Sequence, residues 1–374
     1  MSLTNDKKRR ILHTESSVAW GGQEKRILSE AVGLAMRGHN IIIAAQPESR
    51  IIVEAEKMGI YCIPLSMKRP DYPYAVINLM KIIRGHNIEI LNCHSSTDSW
   101  IASFASFFSR RRVMFLRTRH VSTSISRGLL SSLLYRYFPD KIITTGESIR
   151  RDMIDINRFS ASDIISIPTG IDTDIYAPER YDGEKERINL GIKPDEVVIG
   201  MIAMFRSWKD HRTFFEVADI LRQNEKDVKF LIVGGGSKEQ ESRIEGIITE
   251  LGLEDNVIMT GITSRVPEML SCCDITVLTS FSNEGVPQSI AQSLSMRVPV
   301  VATDVGSVRE LVIDGKTGYL VPPKDIYAIY RSLIKLLHNQ EMRRGMGKAG
   351  RHLVIEEFNI GLMLDRIERL YDSF

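Results

Sequence analysis

The sequence predicts an α/β protein built from two doubly wound, parallel-sheet domains. A chain of 374 residues is long enough for two domains of ordinary size. From Arg10 onward, short apolar runs that read as buried parallel strands alternate with amphipathic helical stretches. Residues 275–321 repeat that alternation without interruption: strand, loop, helix, strand, loop, helix, strand. The hydrophobic content of 43% is that of an ordinary soluble globular protein.

The first strand spans 10–15 and the first helix 23–37. Between them, Gly21 and Gly22 allow a tight turn and close approach of a ligand to the backbone, although most such pairs are only turns. Further strands are read at 41–45, 62–65, 88–93, 113–118, 142–145 and 164–167, separated by helical patterns at 49–58, 74–84, 98–108, 126–137 and 147–157. Ligands of such a domain bind outside the carboxyl ends of its strands. Two stretches there carry histidine, Cys93-His94-Ser95-Ser96 and Arg117-Thr118-Arg119-His120. Arg110, Arg111 and Arg112 precede one strand, and 129–138 is apolar with basic flanks. Such a segment suits a lipid interface; a core helix of the sheet domain is the preferred reading.

Residues 179–196 are charged and poor in apolar side chains, as expected where one domain gives way to the next. A strand at 197–205 opens the second domain and ends in Arg206-Ser207-Trp208-Lys209-Asp210-His211. The strand 229–233 is followed by Gly234, Gly235 and Gly236, which let the backbone approach a nucleotide. Glu239 stands where a dinucleotide fingerprint needs its third glycine, which disfavours a dehydrogenase. After the strand 275–279, Glu284-Gly285 turns the chain and Pro287 takes the first helical position. The helix that follows offers its N–H groups and positive dipole end to a phosphate without needing a metal. A second loop, 304–307, opens the next helix, and a last helical pattern covers 360–371.

Glu284, Gly285, Pro287, the Pro-Val-Val-Ala-Thr run and Glu310 resemble the donor-site signature of retaining glycosyltransferases of the GT-B fold, glycosyltransferase family four. Members carry a second Glu eight positions after the first; here that position is Gln292. The resemblance covers nearly the whole chain and is strongest over 198–321. It implies two Rossmann-like domains facing a cleft: 1–175 binding the acceptor, 176–355 binding a nucleotide-sugar, and a helical segment 356–374 that packs back on the first domain. It also implies transfer, with retention, of a hexosyl or N-acetylhexosaminyl group from a UDP- or GDP-linked donor. The acceptor would be a saccharide or lipid-linked glycan, in cell-surface polysaccharide or lipopolysaccharide biosynthesis.

Residue by residue, the resemblance places Arg206 and Lys209 on the donor diphosphate, where fixed cations stabilise the departing charge. Glu284 would touch the transferred sugar and Gln292 the ribose hydroxyls. Gly234, Gly235, Gly285, Val286 and Pro287 would line the donor, with Gly261 in the loop that touches the base. Gly21 and Gly22, grouped with the donor-contacting residues, would lie across from the donor phosphates and near the acceptor. His120 would lie near the acceptor and the transferred sugar, as a catalytic residue beside Arg206, Lys209 and Glu284.

No cofactor and no metal are expected. Asp172 and Asp174 form an Asp-x-Asp pair of the kind the other major glycosyltransferase fold uses for a metal–nucleotide, but here it lies in a segment resembling the family's inter-domain hinge, with Thr169 in place of the usual Asn. Cys62, Cys93, Cys272 and Cys273 have no metal-type spacing, and a reducing cytosol is the simplest setting for them. The charged N-terminus leads into a strand rather than a signal peptide's apolar core, and no apolar run approaches the ~20 residues of a membrane span. Formal charge is +7 over 1–178 and −5 over the remainder. A basic first half fits an anionic acceptor or peripheral contact with an anionic membrane at its cytoplasmic face; nucleic acid is not expected as a partner. Two rival readings share the fold expectation: a sugar-nucleotide epimerase or glycosyl phosphorylase, and a non-catalytic nucleotide-sugar-binding protein.

Overall fold

A computed structural model describes residues 8–374 except 124, 126, 127, 226 and 283. The first seven residues, on which the signal-peptide reading rests, lie outside the described residues, as do the first two positions of the expected helix 126–137. The chain divides into two compact units, Met1–Gly170 with Ile360–Phe374, and Ile171–Asn359. This division differs by a few residues from 175/176 and 355/356. The reason is local pairing: the Ile171 N–H donates to the Phe358 carbonyl at 2.8 Å, and the Asn359 amide donates to the Thr173 hydroxyl at 2.9 Å.

The first unit holds a seven-stranded parallel sheet: β1 (Arg10–Glu15), β2 (Asn40–Ala45), β3 (Tyr61–Pro64), β4 (Ile90–Cys93), β5 (Met114–Arg119), β6 (Lys141–Thr144) and β7 (Ile164–Ser166). Its spatial order is β3-β2-β1-β4-β5-β6-β7. The β1 run pairs on both sides, Ile11 with Ile41 and with Ile90, which is why its apolar side chains are wholly buried. The helix Ile360–Asp372 belongs to this unit, with Met363, Leu364, Ile367 and Leu370 in the core beneath the helix Gly22–Met36. A Cβ on Gly33 would meet Leu364 at 2.5 Å, so that glycine lets the two helices close up. Residues 129–138 are not one regular core helix. They form a turn of α-helix, Leu129–Ser132, widened into a π-type turn, Leu133–Tyr137, with Leu129 and Leu130 exposed.

The second unit holds a six-stranded parallel sheet: β8 (Val197–Ile202), β9 (Val228–Val233), β10 (Val257–Met259), β11 (Ile275–Leu278), β12 (Val300–Thr303) and β13 (Gly318–Val321), ordered β10-β9-β8-β11-β12-β13. β8 ends at Ile202, short of the expected 205. The loop 304–307 opens only a single 3-10 turn, Val308–Glu310, rather than a full helix. In each sheet the strand order reverses once, between β1 and β4 and between β8 and β11. Loops leaving the carboxyl ends of those strands diverge, which opens the crevice where doubly wound sheets take ligands.

Candidate active site

At the reversal point of the second sheet, two loops are tied to each other. The Thr279 hydroxyl lies 2.9 Å from both the Lys209 and Asp210 carbonyls, and the Phe281 N–H donates to the Trp208 carbonyl at 2.9 Å. Asp210 adopts a left-handed conformation, φ 52°, that reverses the chain into the helix His211–Asn224; its carboxylate accepts from the Thr213 hydroxyl at 2.8 Å. This brace delivers the Lys209 ammonium to Glu284 Oε1 at 2.6 Å, and the Ser280 hydroxyl donates to the same oxygen at 2.6 Å. The side chains are 18% and 6% exposed, so the pair lies in a site that attenuates charge far less than water does. The Arg206 guanidinium, half-buried on the same loop, has no ion-pair partner among the described residues. Sequence reasoning assigned Lys209 to phosphate and Glu284 to sugar separately; the structure joins them.

Pro287 stands one position before the helix it was expected to begin. Its ψ of 120° is still extended, its carbonyl accepts the Ala291 N–H at 3.2 Å, and the helix runs Gln288–Ser295. Val286 is turned into an apolar cluster with Leu278 and Ile290, so its side chain anchors the loop and only its backbone is available to a ligand. Gln292 is half-buried one turn into the helix, with no side-chain partner among the described residues. The glycines after β9 answer to the protein's own packing. A Cβ on Gly234 would fall 1.9 Å from the Ala203 carbonyl, and one on Gly235 2.8 Å from Ile262. Gly261 has φ +68° with open space around it.

The first unit gathers a buried polar cluster at the ends of β1, β4 and β5. His13 Nδ1 lies 3.0 Å from His94 Nε2, and His94 Nδ1 lies 3.0 Å from His120 Nε2. Asp98 accepts from the backbone N–H groups of His94 and Ser95, each at 2.8 Å, and from the Thr14 hydroxyl at 3.0 Å. Burial holds His94 and His120 well below the usual imidazole range; burial, then the Arg26 charge, lowers His13 to about 4. Gly21 caps the helix Gly22–Met36, its N–H held by Glu24 at 2.8 Å. Glu15 accepts from the Ser17 N–H at 2.7 Å and the Gln23 amide at 2.5 Å. Sequence reasoning missed His13, Glu15 and Asp98. Ser95-x-x-Asp98 was readable as a capping box, and a polar His-Thr-Glu ending on a central buried strand was the signal for the other two.

Burial first, then the Asp98 charge, pushes the Glu15 carboxyl up to about 8. Its folded value therefore exceeds its ordinary one of 4.5. The stability it contributes is full below pH 4.5 and is lost as pH rises towards 8, because the unfolded chain releases the proton first. Glu15→Gln is expected to flatten that part of the stability profile and to raise the melting temperature at pH 8 relative to the native chain. A variant that melts with the same pH slope as the native chain would show that Glu15 is not the group responsible.

Asp172 Oδ1 accepts the N–H groups of Asp174 and Ile175, each at 3.0 Å, so this carboxylate closes a turn. The four cysteines are free and buried, and no helix among the described residues is long and apolar enough to cross a membrane.

Residues 182–353 match the family described as Glycosyl transferases group 1, and residues 20–175 match Glycosyltransferase Family 4. The chain is 26% identical to the N-acetyl-alpha-D-glucosaminyl L-malate synthase of Bacillus anthracis, over 81% of this chain and 79% of that one. It is 22% identical to the UDP-Gal:alpha-D-GlcNAc-diphosphoundecaprenol alpha-1,3-galactosyltransferase of Escherichia coli, over 79% and 78%. The crystal structure of Anabaena Alr3699/HepE in complex with UDP and glucose superposes with a TM-score of 0.87 at 18% identity, covering 98% of this chain and 100% of that one, a likeness that establishes the fold. With two matches that between them span most of its length, this chain belongs to the glycosyltransferases of the GT-B fold, its N-terminal half matching Family 4 and its C-terminal half group 1.

Proposed function

We propose that the chain transfers a hexosyl or N-acetylhexosaminyl group from a nucleoside-diphosphate sugar to a glycan or lipid-linked glycan acceptor, with retention at the anomeric carbon and without a metal ion, in bacterial surface-glycan assembly. The observation that carries this reading is the Lys209–Glu284 pair at the reversal point of the second sheet, with Arg206 on the same loop as Lys209 and the helix Gln288–Ser295 following Glu284. Arg206, Lys209 and the helix end oppose the charge that builds on the departing diphosphate. Glu284 meets the transferred sugar, and Gln292 the ribose. The bond from the anomeric carbon to the phosphate oxygen breaks as the acceptor oxygen bonds on the same face. The acceptor's proton passes to the leaving diphosphate. The named relatives support the class: one is an N-acetyl-glucosaminyl malate synthase and another a galactosyltransferase acting on a diphosphoundecaprenol-linked GlcNAc.

Incubation with UDP- and GDP-sugars, with and without a lipid-linked acceptor, tests the reading. Transfer only in the presence of acceptor, undiminished by chelator, is expected. Release of free sugar without acceptor would favour hydrolysis or epimerisation, and loss of activity on chelation with rescue by manganese would move the diphosphate to Asp172 and Asp174. Gln292→Ala is expected to weaken donor binding several-fold with kcat little changed. Gln292→Glu should bind at least as tightly as the native chain, because an ionised acceptor makes roughly twofold stronger hydrogen bonds.

A cytoplasmic position at the inner face of the membrane follows from the same reading. Phe104, Phe107 and Phe108 are exposed on the helix Ser96–Phe108. A groove of about 1160 Å³ beside them is lined by Ile77, Met80, Arg84 and Arg110. Aromatic rings with arginines at their edge suit the headgroup layer of an anionic bilayer. Phe107→Glu with Phe108→Glu is expected to abolish low-salt sedimentation with anionic vesicles; native protein that fails to sediment at low salt would remove the membrane from the proposal.

A further inference from the structure

We propose that His94 is a positioning residue for His120: the file His13–His94–His120 fixes His120 as a neutral imidazole that presents an Nδ1–H donor to the acceptor sugar. The inference rests on the glycosyltransferase reading for the identity of what His120 meets. The geometry of the file stands independently of it.

His94 has both ring nitrogens engaged, Nε2 with His13 Nδ1 and Nδ1 with His120 Nε2, each at 3.0 Å, and the residue is buried. His120 is half-buried, and its other nitrogen, Nδ1, has no protein partner among the described residues. A neutral imidazole carries one donor and one acceptor. Three neutral rings joined by two such bonds therefore have two consistent proton arrangements. In the outward one, His13 Nδ1–H donates to His94, His94 Nδ1–H donates to His120 Nε2, and His120 keeps its remaining proton on Nδ1. In the inward one every proton is reversed, and His13 is left with an Nε2–H pointing into the core.

Two observations select the outward arrangement. Among the described residues, His13 Nε2 is buried with no hydrogen-bond partner, and so are Nε and Nη2 of Arg26 and Oε2 of Glu30, which faces Arg26 Nε at 3.8 Å. The charge that acts on His13 is that of Arg26, so an orphaned N–H there costs more than an orphaned lone pair, which the guanidinium favours. The same charge acts against a cation on any ring: Arg26 lowers His13, His94 and His120 alike, in each case after burial. A proton taken at His120 Nδ1 and passed inward would end on His13 beside that charge. His120 is thereby a fixed hydrogen-bond donor and not a general base. The carboxylates nearby are committed elsewhere, Asp98 to the His94 and Ser95 N–H groups, Glu15 to Ser17 and Gln23, and Glu30 to the Asn92 amide and the Arg26 guanidinium.

Histidine-selective 15N NMR of the full chain reads the tautomer directly and needs no substrate, with His120→Asn assigning the signal. The expected result is an Nδ1–H His120 across neutral pH. In His94→Leu the ring should revert towards the Nε2–H form preferred by free imidazole, with kcat down about tenfold, the loss of one modest transition-state contact, and donor KM unchanged. His94→Asn, whose amide nitrogen stands near the lost Nδ1, should restore the tautomer and most of kcat, whereas His94→Gln, reaching towards Nε2, should not. The Asn/Gln pair decides the matter even if the leucine variant does not fold. An Nε2–H or cationic His120 in the native chain, or a His94→Leu chain with native tautomer and native kcat, overturns the proposal. Absence of transfer with every donor while the Nδ1–H signal is present would instead count against the functional reading.

Discussion

Glu284→Ala is expected to lower kcat by about a hundredfold or more, the scale of removing one preorganised electrostatic contact. Two groups lose their acceptor in this variant, the Lys209 ammonium and the Ser280 hydroxyl, both of which converge on Glu284 Oε1. The lysine would be left mostly buried and unpaired, a state that is costly in folded proteins, so it should rotate away from where a diphosphate is expected. Glu284→Gln keeps an oxygen for Lys209 or Ser280 but lacks the charge, and should fall between the native chain and the alanine variant. Crossing Glu284→Gln with Lys209→Met separates the pair's internal coupling from its action on substrate. If the two residues act as one unit, the double variant will be little worse than the poorer single one. Steady-state kcat and KM for donor and acceptor decide it, with the melting temperature as the control for folding. A Glu284→Ala enzyme that turns over normally would remove Glu284 from the chemistry altogether.

Gly234→Ala is expected to lower the melting temperature of the second unit by about 8–16 °C. Gly234 has φ +154°, outside the range that L side chains readily adopt, and its added Cβ would fall 1.9 Å from the Ala203 carbonyl and 2.7 Å from its carbon. Both neighbours are backbone, so neither can turn aside. Overpacking costs about 1–3 kcal/mol and backbone strain about 1–3 kcal/mol. A central total of about 4 kcal/mol converts at about 2–4 °C per kcal/mol for a unit of this size. Gly261→Ala provides the contrast. It shares a positive φ but has nothing within 4 Å among the described residues, so only the strain remains and the shift should be about 4–8 °C. Differential scanning calorimetry on both variants tests the pair. Equal shifts would mean that the contact with Ala203 relaxes at little cost, and the close-approach argument for Gly234 would fail.

These two cases mark different kinds of legibility. The strands were readable because each is a local apolar run with a short period, and every expected strand of both sheets lies within a few residues of an observed one. Helix boundaries slipped by a residue where backbone geometry, not residue type, sets the start, as at Pro287. Gly234 was readable as a close approach, but the sequence pointed to a nucleotide, whereas the atoms an added Cβ would meet first are the protein's own backbone at Ala203 and Met204. Glu284 was legible from its place between a strand and a Gly-x-Pro turn.

What the sequence determined by itself is the alternation of elements, the family resemblance and the residue types at the strand ends, because all of these are local in the chain. Only the tertiary structure decided which of those residues meet. Lys209 and Glu284 are 75 positions apart, and His13 and His94 are 81. What unites each pair is the strand order, which brings β8 beside β11 and β1 beside β4. That order is set by crossovers and the packing of helices on both faces, and no spacing along the chain encodes it. The consequence is chemical as well as geometric. A lysine and a glutamate read as separate donor contacts become one ion pair, and a histidine read alone becomes the end of a buried file of three, because burial makes each group's partner, more than its own identity, decide its charge and its proton.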